Sequence, residues 1–391
     1  MSASDLDTFR ADTAAWLEAN CPAPMRTPIS SPEMLWSSAH NVFISDEQRL
    51  WFERARDRGW FAPGWPLQYG GGGLNAQQQR VLDEEMLRLG CRQPQYNLGI
   101  WMLGPVLLEL GSDEQKAEHL PPMARGERRW CQGFSEPNAG SDLASLRTSA
   151  VRDGDDFIVN GQKIWTSYGD LSDWMYALVR TDPQAKKQQG ISFILIDMKA
   201  PGVSVRPIEL ISGKSTFSEV FFDNVRVPVR QLVGGLNQGW SVAKKLLEHE
   251  RAAMSKFSEG GAPSHEPLSV AASYLADAEP VWRDRLAGAM MDERAFALTM
   301  RRMHEMIHAR EDVTGVSAIM KLTQTEQEVA KYELLQQIMG QRALSWEGEA
   351  FSTDEHDMCR LWLYTKTYTI GGGTSEIQLN LIAQRVLGLP K

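Results

Sequence analysis

Apolar positions recur at helical spacing over the first third of the chain and again over its last third. Glycine or proline residues separate the early helical segments, which are residues 13–18, 46–58, 77–89 and 113–123. After Trp240 the helical pattern returns and continues to Leu387. It weakens only over the Gly/Ser/Pro-rich residues 258–267, where we predict a loop. The pattern therefore predicts a helical domain at each end of the chain.

The middle of the chain has a different pattern, in which short β-rich runs are separated by Gly, Asp, Asn and Pro clusters. The runs are residues 157–159, 174–179, 191–196, 203–205 and 219–222. This pattern is typical of an antiparallel β domain. A Rossmann fold is disfavoured, because strands and helices do not alternate and no G-x-G-x-x-G motif follows a strand.

The order of these patterns predicts an α+β fold in three parts. We place an N-terminal helical domain at residues 1–125, a middle antiparallel β domain at 126–235 and a C-terminal helical bundle at 236–391. With 391 residues, the chain is long enough for two or three domains and a large buried core.

Composition and charge narrow the functional class. Hydrophobic residues make up 42% of the chain and charged residues 23%, which is ordinary for a globular protein. The net charge of −9, with no basic stripe, argues against nucleic-acid binding. The four cysteines form no CxxC pair, so we expect free thiols. No apolar run approaches the ~20 residues of a membrane span, and the first residues lack a signal-peptide pattern. We therefore expect a cytoplasmic protein.

The most informative segment is 131–142, which reads Cys-Gln-Gly-Phe-Ser-Glu-Pro-Asn-Ala-Gly-Ser-Asp. A β-forming approach ends where Pro137 stops regular structure. The following Asn-Ala-Gly-Ser-Asp is a turn that exposes backbone N–H groups beside short hydroxyls. Such a corner suits a planar, hydrogen-bonding ring and a phosphate better than it suits a packed core.

This segment closely resembles the Thr-Glu-Pro-x-Ala-Gly-Ser-Asp signature of flavin-dependent acyl-CoA dehydrogenases, and four other segments resemble that family in the same order. They are the turn at 59–71, Asn-Gly-Gln-Lys-Ile-Trp-Thr-Ser at 160–167, Phe-Phe-Asp-Asn-Val-Arg-Val-Pro at 221–228 and Gly-Thr-Ser-Glu-Ile-Gln at 373–378. The resemblance implies the family fold, with two helical parts around a middle β domain. It also implies FAD as cofactor, an acyl-CoA substrate and a role in lipid catabolism such as β-oxidation.

The resemblance also implies which residues form the flavin site. It places Gln132, Phe134 and Ser135 along the flavin ring, and Ser141 near the phosphates and the thioester substrate. The remaining cofactor-binding residues that it implies are Trp165, Thr166, Ser167, Gln337, Thr374 and Glu376. The alternative is that Trp165 is a core residue at a strand end and that Gly140-Ser141 is a plain turn.

Removal of the α-proton of an acyl thioester needs a carboxylate, and the resemblance offers two positions for it. Many relatives carry a glutamate directly before the C-terminal Gly-Thr, but here that position is Gly372, which has no carboxylate. Other branches carry it on a mid-chain helix before an arginine, as Glu250 and Arg251 do in this chain. We therefore predict Glu250 as the base and Arg251 as a residue near the CoA portion of the substrate.

The helical pattern supports this assignment independently. Glu250 lies three and four residues after Leu247 and Leu246, on the apolar stripe that also includes Ala243, Met254 and Phe257. An apolar setting raises the pKa of a carboxyl group, which suits a general base. Glu248 instead follows Lys244 and Lys245 and predicts a surface ion pair. The alternative for Glu250 is a helix-edge residue that pairs with a distant arginine.

A competing motif, His-Glu-Met-Ile-His at 304–308, matches the H-E-x-x-H pattern of zinc peptidases. We predict that it binds no metal, because Phe296, Met300, Met303 and Ile307 form the buried stripe beside the histidines. No third-ligand pattern is evident either.

One family element is missing. Relatives carry an Arg-x-x-Phe-Gly element that reaches the flavin adenine of a neighbouring subunit, but the stretch 273–278 lacks both the arginine and the phenylalanine. The later neighbour-contact element keeps Gln337 and Gly340, whereas Gln341 replaces the expected glycine. The chain is thus expected to form a homo-oligomer (dimer or tetramer) or a heteromer with a related subunit.

The family resemblance implies an electron-transfer flavoprotein as electron acceptor. A partner subunit with a structural role and an acyl-CoA oxidase of the same fold are the alternatives.

Overall fold

The computed structural model describes residues 3–27, 29, 33–260, 267–275, 280–309, 311 and 313–390. For residues 3, 250–260, 304, 307, 308 and 314 it describes the backbone alone. The chain divides into two compact units. The first contains residues 1–208 and 216–263, and the second contains residues 209–215 and 264–391.

The first unit begins with helices, as the apolar spacing predicts. They are α1 (Ala3–Asn20), α2 (Asp46–Asp57), α3 (Ala76–Arg88), α4 (Gly104–Leu110) and α5 (Asp113–Ala124). Hydroxyl or amide side chains cap three of these helices at their N-termini: Ser45 for α2, Asn75 for α3 and Ser112 for α5. The four helical segments predicted before residue 125 are confirmed.

A sheet follows these helices. Its strands are β1 (Trp130–Gly133), β2 (Ser149–Asp153), β3 (Asp156–Ser167), β4 (Trp174–Arg180), β5 (Ile191–Asp197), β6 (Val203–Ile208), β7 (Phe217–Pro228) and β8 (Leu232–Val233). The strand order is β6-β7-β3-β2-β4-β5-β8, and β1 pairs with β4. All five predicted β runs lie in these strands.

The sheet is antiparallel apart from two parallel pairings, both made with β4. Strand β1 runs parallel to β4. Strand β2 also runs parallel to β4, with which it forms a single residue pair. A parallel pair needs a crossover connection, and the β2–β3 hairpin lies in the connection from β1 to β4. This arrangement places the turn that follows β1 beside the hairpin.

Helix α6 (Gly239–Gly260) completes the first unit and carries the predicted base. Its buried face holds Val242, Ala243 and Leu246. The loop predicted at residues 258–267 is wrong at both ends. Helix α6 continues through Gly260, because no helix breaker precedes that glycine, and Pro267 begins α7, a position that proline favours. Residues 261–266 lie outside the described residues.

The second unit is helical. It contains α7 (Pro267–Tyr274), α8 (Pro280–His308), α9 (Thr314–Met339), α10 (Thr353–Thr365) and α11 (Ser375–Leu381), which confirms the return of the helical pattern. Its core forms around Leu335, Ala343 and Met358.

Among the helices described in both units, none is long and apolar enough to cross a membrane. All four cysteines are free, as predicted.

Candidate active site

The first candidate residues lie on strand β1 and directly after it. Gln132 lies opposite Tyr176 of β4, whose hydroxyl lies 3.3 Å from Gln132 Oε1. The Phe134 side chain is buried, with its ring edge-on to Tyr176 and Phe193. Phe134 is therefore a core residue, and only its backbone can serve a ligand.

The turn after β1 is closed by two backbone hydrogen bonds, but its serine hydroxyls are open, meaning that they are accessible and make no hydrogen bond within the described residues. The Glu136 N–H donates to Ala139 O, and the Ala139 N–H donates back to Glu136 O, both at 3.0 Å. Ser141 is exposed and Ser135 is half-buried. Within the described part of the chain, neither hydroxyl makes a hydrogen bond. Both hydroxyls can therefore hydrogen-bond a ligand, as the sequence predicts for a phosphate or ring edge.

Trp165 stands at an irregularity near the end of β3. The pairing of β3 with β7 shifts register between Lys163 and Thr166, and Trp165 has φ +59°. A bulky residue in the left-handed region costs about 1–3 kcal/mol, and such strain is concentrated at functional sites. The indole is 54% exposed and meets Phe217 edge-on. A large flat surface thus faces solvent rather than the core, where a ligand could stack on it.

The two residues after Trp165 differ in their surroundings. Thr166 is fully buried, and its Oγ1 has no hydrogen-bond partner among the described residues. Ser167 is half-buried and pairs through its backbone with Phe217. Of the three consecutive candidates, Trp165 and Ser167 therefore have accessible side chains, whereas Thr166 could contact a ligand only through its backbone.

Sequence reasoning gave no role to Lys163 and Glu136, although both stand inside the two flavin segments. Lys163 is fully buried, and its Nζ lies 2.7 Å from Glu136 Oε1. Burial lowers the pKa of Lys163 to about 8, although Glu136 opposes this. Burial raises the pKa of Glu136, but Lys163 and the Thr148 and Arg147 amides outweigh burial and hold it below its ordinary value. The signal in the sequence was that each residue is a charged member of a segment that resembles the family, Glu136 in 131–142 and Lys163 in 160–167.

On α6 the backbone places position 250 on the helix face that carries Val242, Ala243 and Leu246, since each residue advances by about 100°. Glu248 is exposed and pairs with Lys245 at 3.5 Å, as predicted. The side chains of Glu250 and Arg251 lie outside the described residues.

The remaining candidates lie in the second unit. Thr374 caps α11, because its Oγ1 accepts the Ile377 N–H at 3.3 Å. Glu376 is exposed, and the pKa of its carboxyl group is lowered by a backbone N–H and by the Thr374 hydroxyl. Gln337 is exposed and accepts a hydrogen bond from Arg285 at 2.6 Å.

The glycine loop before Thr374 is anchored by a lysine on α9. Gly372 and Gly373 have φ values of +67° and +97°. The Lys321 ammonium donates to Gly373 O at 2.6 Å and to Tyr368 O at 3.3 Å. Burial lowers the pKa of Lys321. The position where many relatives carry their base is thus a left-handed glycine beside a cation.

The H-E-x-x-H motif lies at the end of α8. Met303 is buried, and Phe296 and Met300 are half-buried, as the predicted stripe requires. The side chains of His304, Ile307 and His308 lie outside the described residues. Elsewhere in the described chain, no group of three His, Cys, Asp or Glu residues could hold a metal.

The donor set of the first unit fits a flavin. It combines the open hydroxyls of Ser135 and Ser141 with the exposed face of Trp165 and the accessible Ser167. Aromatic faces and small hydroxyl donors suit a planar ring that carries a phosphate chain. These residues could therefore hold FAD.

Comparison with known proteins assigns the chain to a family. Three family models match the chain in order: acyl-CoA dehydrogenase N-terminal domain at residues 34–127, middle domain at 131–225 and C-terminal domain at 237–387. The acyl-CoA dehydrogenase FadE34 of Mycobacterium tuberculosis is 38% identical over 92% of this chain. The chain spans about half of that relative, since the match covers 48% of its length.

Two solved structures match the chain from end to end. One is titled "Tcur3481-Tcur3483 steroid ACAD" and is 28% identical, with a TM-score of 0.77 over 100% of this chain and 99% of its own. The other is the ChsE4-ChsE5 complex from Mycobacterium tuberculosis, which is 29% identical, with a TM-score of 0.74 over the same shares. The chain therefore belongs to the acyl-CoA dehydrogenase family, whose members are FAD-dependent oxidoreductases.

Proposed function

We propose that this chain dehydrogenates an acyl-CoA thioester to the trans-2-enoyl-CoA and that Glu250 removes the α-proton. Bound FAD supplies the acceptor for the β-hydride. The observation that carries the proposal is the site of the first unit, where the strained, exposed Trp165 and the open hydroxyls of Ser135, Ser141 and Ser167 all fall in the family's flavin segments.

Glu250 is the candidate base for two reasons. Gly372 carries no carboxylate at the alternative family position, and position 250 lies on the buried face of α6. A carboxyl group in such a setting has a raised pKa, which favours proton abstraction near neutral pH. The base would hold the abstracted proton on its carboxylate oxygen.

Ser141 and Arg251 are the candidate substrate-binding residues. A guanidinium suits the phosphates of CoA, because its planar donors match their oxygens. Ser141 offers an exposed hydroxyl in the turn after β1. The acceptor that we propose for the electrons is an electron-transfer flavoprotein.

We further propose a bulky, ring-containing acyl group. An aromatic cluster adjoins Ser167: the Trp36 ring lies 4.9 Å from Tyr168, 5.7 Å from Tyr96 and 6.1 Å from Trp101, measured between ring centroids. Three of these rings are only half-buried. Flat aromatic surfaces favour flat apolar ligands, and one matched structure carries the word steroid in its title.

An anaerobic titration tests the proposed function. The purified chain should contain FAD, and a ring-containing acyl-CoA should bleach the flavin absorbance and yield the enoyl-CoA, whereas a short straight-chain acyl-CoA should do so more slowly. A flavin that no acyl-CoA in the panel reduces would contradict the enzyme assignment. A preference for straight chains would contradict only the proposed acyl class. Rapid reoxidation in air would indicate an oxidase.

The second candidate function is a subunit of a heteromeric dehydrogenase. It is favoured by the missing arginine and phenylalanine at 273–278 and by the matched structure that is titled as a complex of two proteins. Flavin content separates the two readings, because a partner subunit with a structural role would purify without FAD and gain activity only with a related chain.

A further inference from the structure

Lys163 connects both halves of the flavin site through one buried ammonium. Its Nζ lies 2.7 Å from Glu136 Oε1 and donates to Phe134 O at 3.2 Å. Lys163 itself stands two residues before Trp165 on β3. The Ile164 N–H also donates to Ser135 O at 2.9 Å. The strand that bears Trp165 is thus tied directly to residues 134–136.

Glu136 extends this connection to a third strand. Its Oε2 accepts the Arg147 N–H at 2.7 Å, and its Oε1 accepts the Thr148 N–H at 2.8 Å, directly before β2. The turn that contains Ser141 leaves Glu136 and returns at Arg147. The ion pair therefore closes both ends of this turn against β3.

A buried ion pair of this kind is sensitive to the loss of either charge. Desolvation of an ammonium is expensive, and removal of one partner leaves the other charge buried and uncompensated. Strand β7 supplies no replacement, since the apolar Val220 lies opposite Lys163, and Arg180 of β4 is a further cation that disfavours the charged lysine. The geometry of the turn thus depends on a charged Lys163.

We propose that Lys163 is a positioning residue of the flavin site, whose charge clamps the turn at residues 135–147 to β3 and thereby sets the affinity for FAD. This inference rests on the proposed function, because it assumes that FAD binds at this turn. Burial lowers the pKa of Lys163 to about 8, so the clamp should open when the ammonium loses its proton under mildly alkaline conditions. Glu136 opposes that loss and Arg180 promotes it.

FAD titration into the deflavinated full chain tests the proposal. Lys163→Met should weaken FAD binding by about tenfold or more near pH 7, and Glu136→Gln should weaken it in the same direction. The wild-type affinity should fall as the pH rises through about 8, whereas the affinity of Lys163→Met should show no such step. An affinity of Lys163→Met within about twofold of wild type, or an unchanged pH step, would overturn the proposal.

Lys187→Met is the matched control. Lys187 pairs with Asp142 of the same turn at 3.2 Å, but both side chains are exposed. Exposed pairs contribute little, so this variant should bind FAD as wild type does. An equal loss in both variants would indicate a general electrostatic effect and would count against the clamp.

Amide hydrogen exchange tests the clamp without any flavin, and therefore independently of the proposed function. Without any flavin, the Arg147 and Thr148 amides should exchange faster in Lys163→Met than in wild type, because both amides donate to Glu136. Unchanged exchange would refute the clamp. A wild-type chain that binds no FAD while its exchange still responds to Lys163→Met would contradict the proposed function and the link to FAD, but not the clamp. If Lys163→Met fails to fold, Glu136→Gln and the wild-type pH titration decide.

Discussion

At the scale of single residues, two glutamates on α6 have contrasting positions. Glu248 is exposed and pairs with Lys245, and such a pair has little effect on the neighbouring chemistry. Position 250 lies on the same helix face as the buried Val242, Ala243 and Leu246. The contrast makes the two glutamates a matched pair for a test of the proposed base.

Glu250→Gln should retain the fold and the flavin but lose turnover by a factor of about 10²–10⁴ or more, because the amide cannot accept the α-proton. Glu248→Gln should leave turnover nearly unchanged. Stopped-flow reduction of the flavin measures this step directly. If Glu250→Gln retains a rate within about tenfold of wild type, the base lies elsewhere.

The histidines of the H-E-x-x-H motif provide a second residue-scale test. Changing His304 and His308 together to alanine should leave dehydrogenation largely intact, because the stripe of Phe296, Met300 and Met303 determines how α8 packs. Metal analysis of the wild-type chain should find no stoichiometric zinc. Tightly bound zinc that accompanies peptide hydrolysis would reverse this conclusion.

At the scale of elements, a buried histidine joins α5 to the segment before β8. Arg128 Nη1 donates to His119 Nδ1 at 2.8 Å, so Nε2 must carry the proton, which it donates to Gln231 Oε1 at 2.8 Å. Trp130 and Trp174 lie edge-on to the imidazole. Burial, reinforced by Arg128, lowers the pKa of His119 from 6.5 to about 4, although Gln231 and Glu118 oppose this.

This arrangement predicts that the folded chain becomes less stable against unfolding in acid. Between about pH 6.5 and pH 4 the unfolded chain binds a proton at His119 and the folded chain does not, so stability falls as the pH falls through this window. The full effect corresponds to about 3 kcal/mol of unfolding free energy. Urea unfolding followed by tryptophan fluorescence should show this slope in wild type and a smaller slope in His119→Gln. The exposed His40 provides the control, and equal slopes in wild type and His119→Gln would contradict the prediction.

The elements themselves could largely be predicted from the sequence, because the 3.6-residue and 2-residue periods of buried positions are local. The end of α6 could not, because the Gly, Ser and Pro content of residues 258–267 indicated a loop although no helix breaker precedes Gly260. The clamp of Lys163 on Glu136 and the His119 network also escaped prediction. Their partners are separated by 27 and 112 residues, and no local pattern encodes such pairing.

In the candidate site too, some features could be predicted from the sequence, whereas others depend on tertiary packing. The segments around Ser141 and Trp165 could be recognised from residue types in order, since a turn needs particular residues at particular positions. The burial of Phe134 and Thr166 could not, because it depends on Tyr176, Phe193 and the paired β7 strand. Sequence reasoning therefore selected candidate segments, but could not tell which of their side chains remain accessible.

At the scale of the whole molecule, assembly is the main open prediction. Helix α8 exposes Met290, Met291 and Leu298, with Met291 at 71% exposure, and exposed apolar patches are typical of interaction surfaces. Residues 273–278 contain neither the arginine nor the phenylalanine through which the resemblance implies contact with a neighbour's adenine, so we expect that contact to be missing. Residues 276–279 lie outside the described residues.

We expect the chain purified alone to form a dimer or tetramer and to bind FAD more weakly than relatives that keep the adenine element. Size-exclusion chromatography with flavin quantification checks both properties in one experiment. If the chain instead functions as half of a heteromer, a related chain should raise the FAD content to stoichiometry. A monomer that retains tight, stoichiometric FAD would contradict both forms of the prediction.

The left-handed Gly372 also limits how this enzyme could evolve. A glutamate at that position would adopt a backbone conformation that costs an L-residue roughly 1–2 kcal/mol, and its Cβ would lie 3.9 Å from Lys321 Cε. Its carboxylate would compete with Gly373 O for the Lys321 ammonium, and such pairing would lower its pKa and weaken it as a base. Transfer of the proposed base from α6 to this loop is therefore expected to need a second substitution, at Lys321. A lineage that lost the proposed base Glu250 is expected to regain little activity through Gly372→Glu alone.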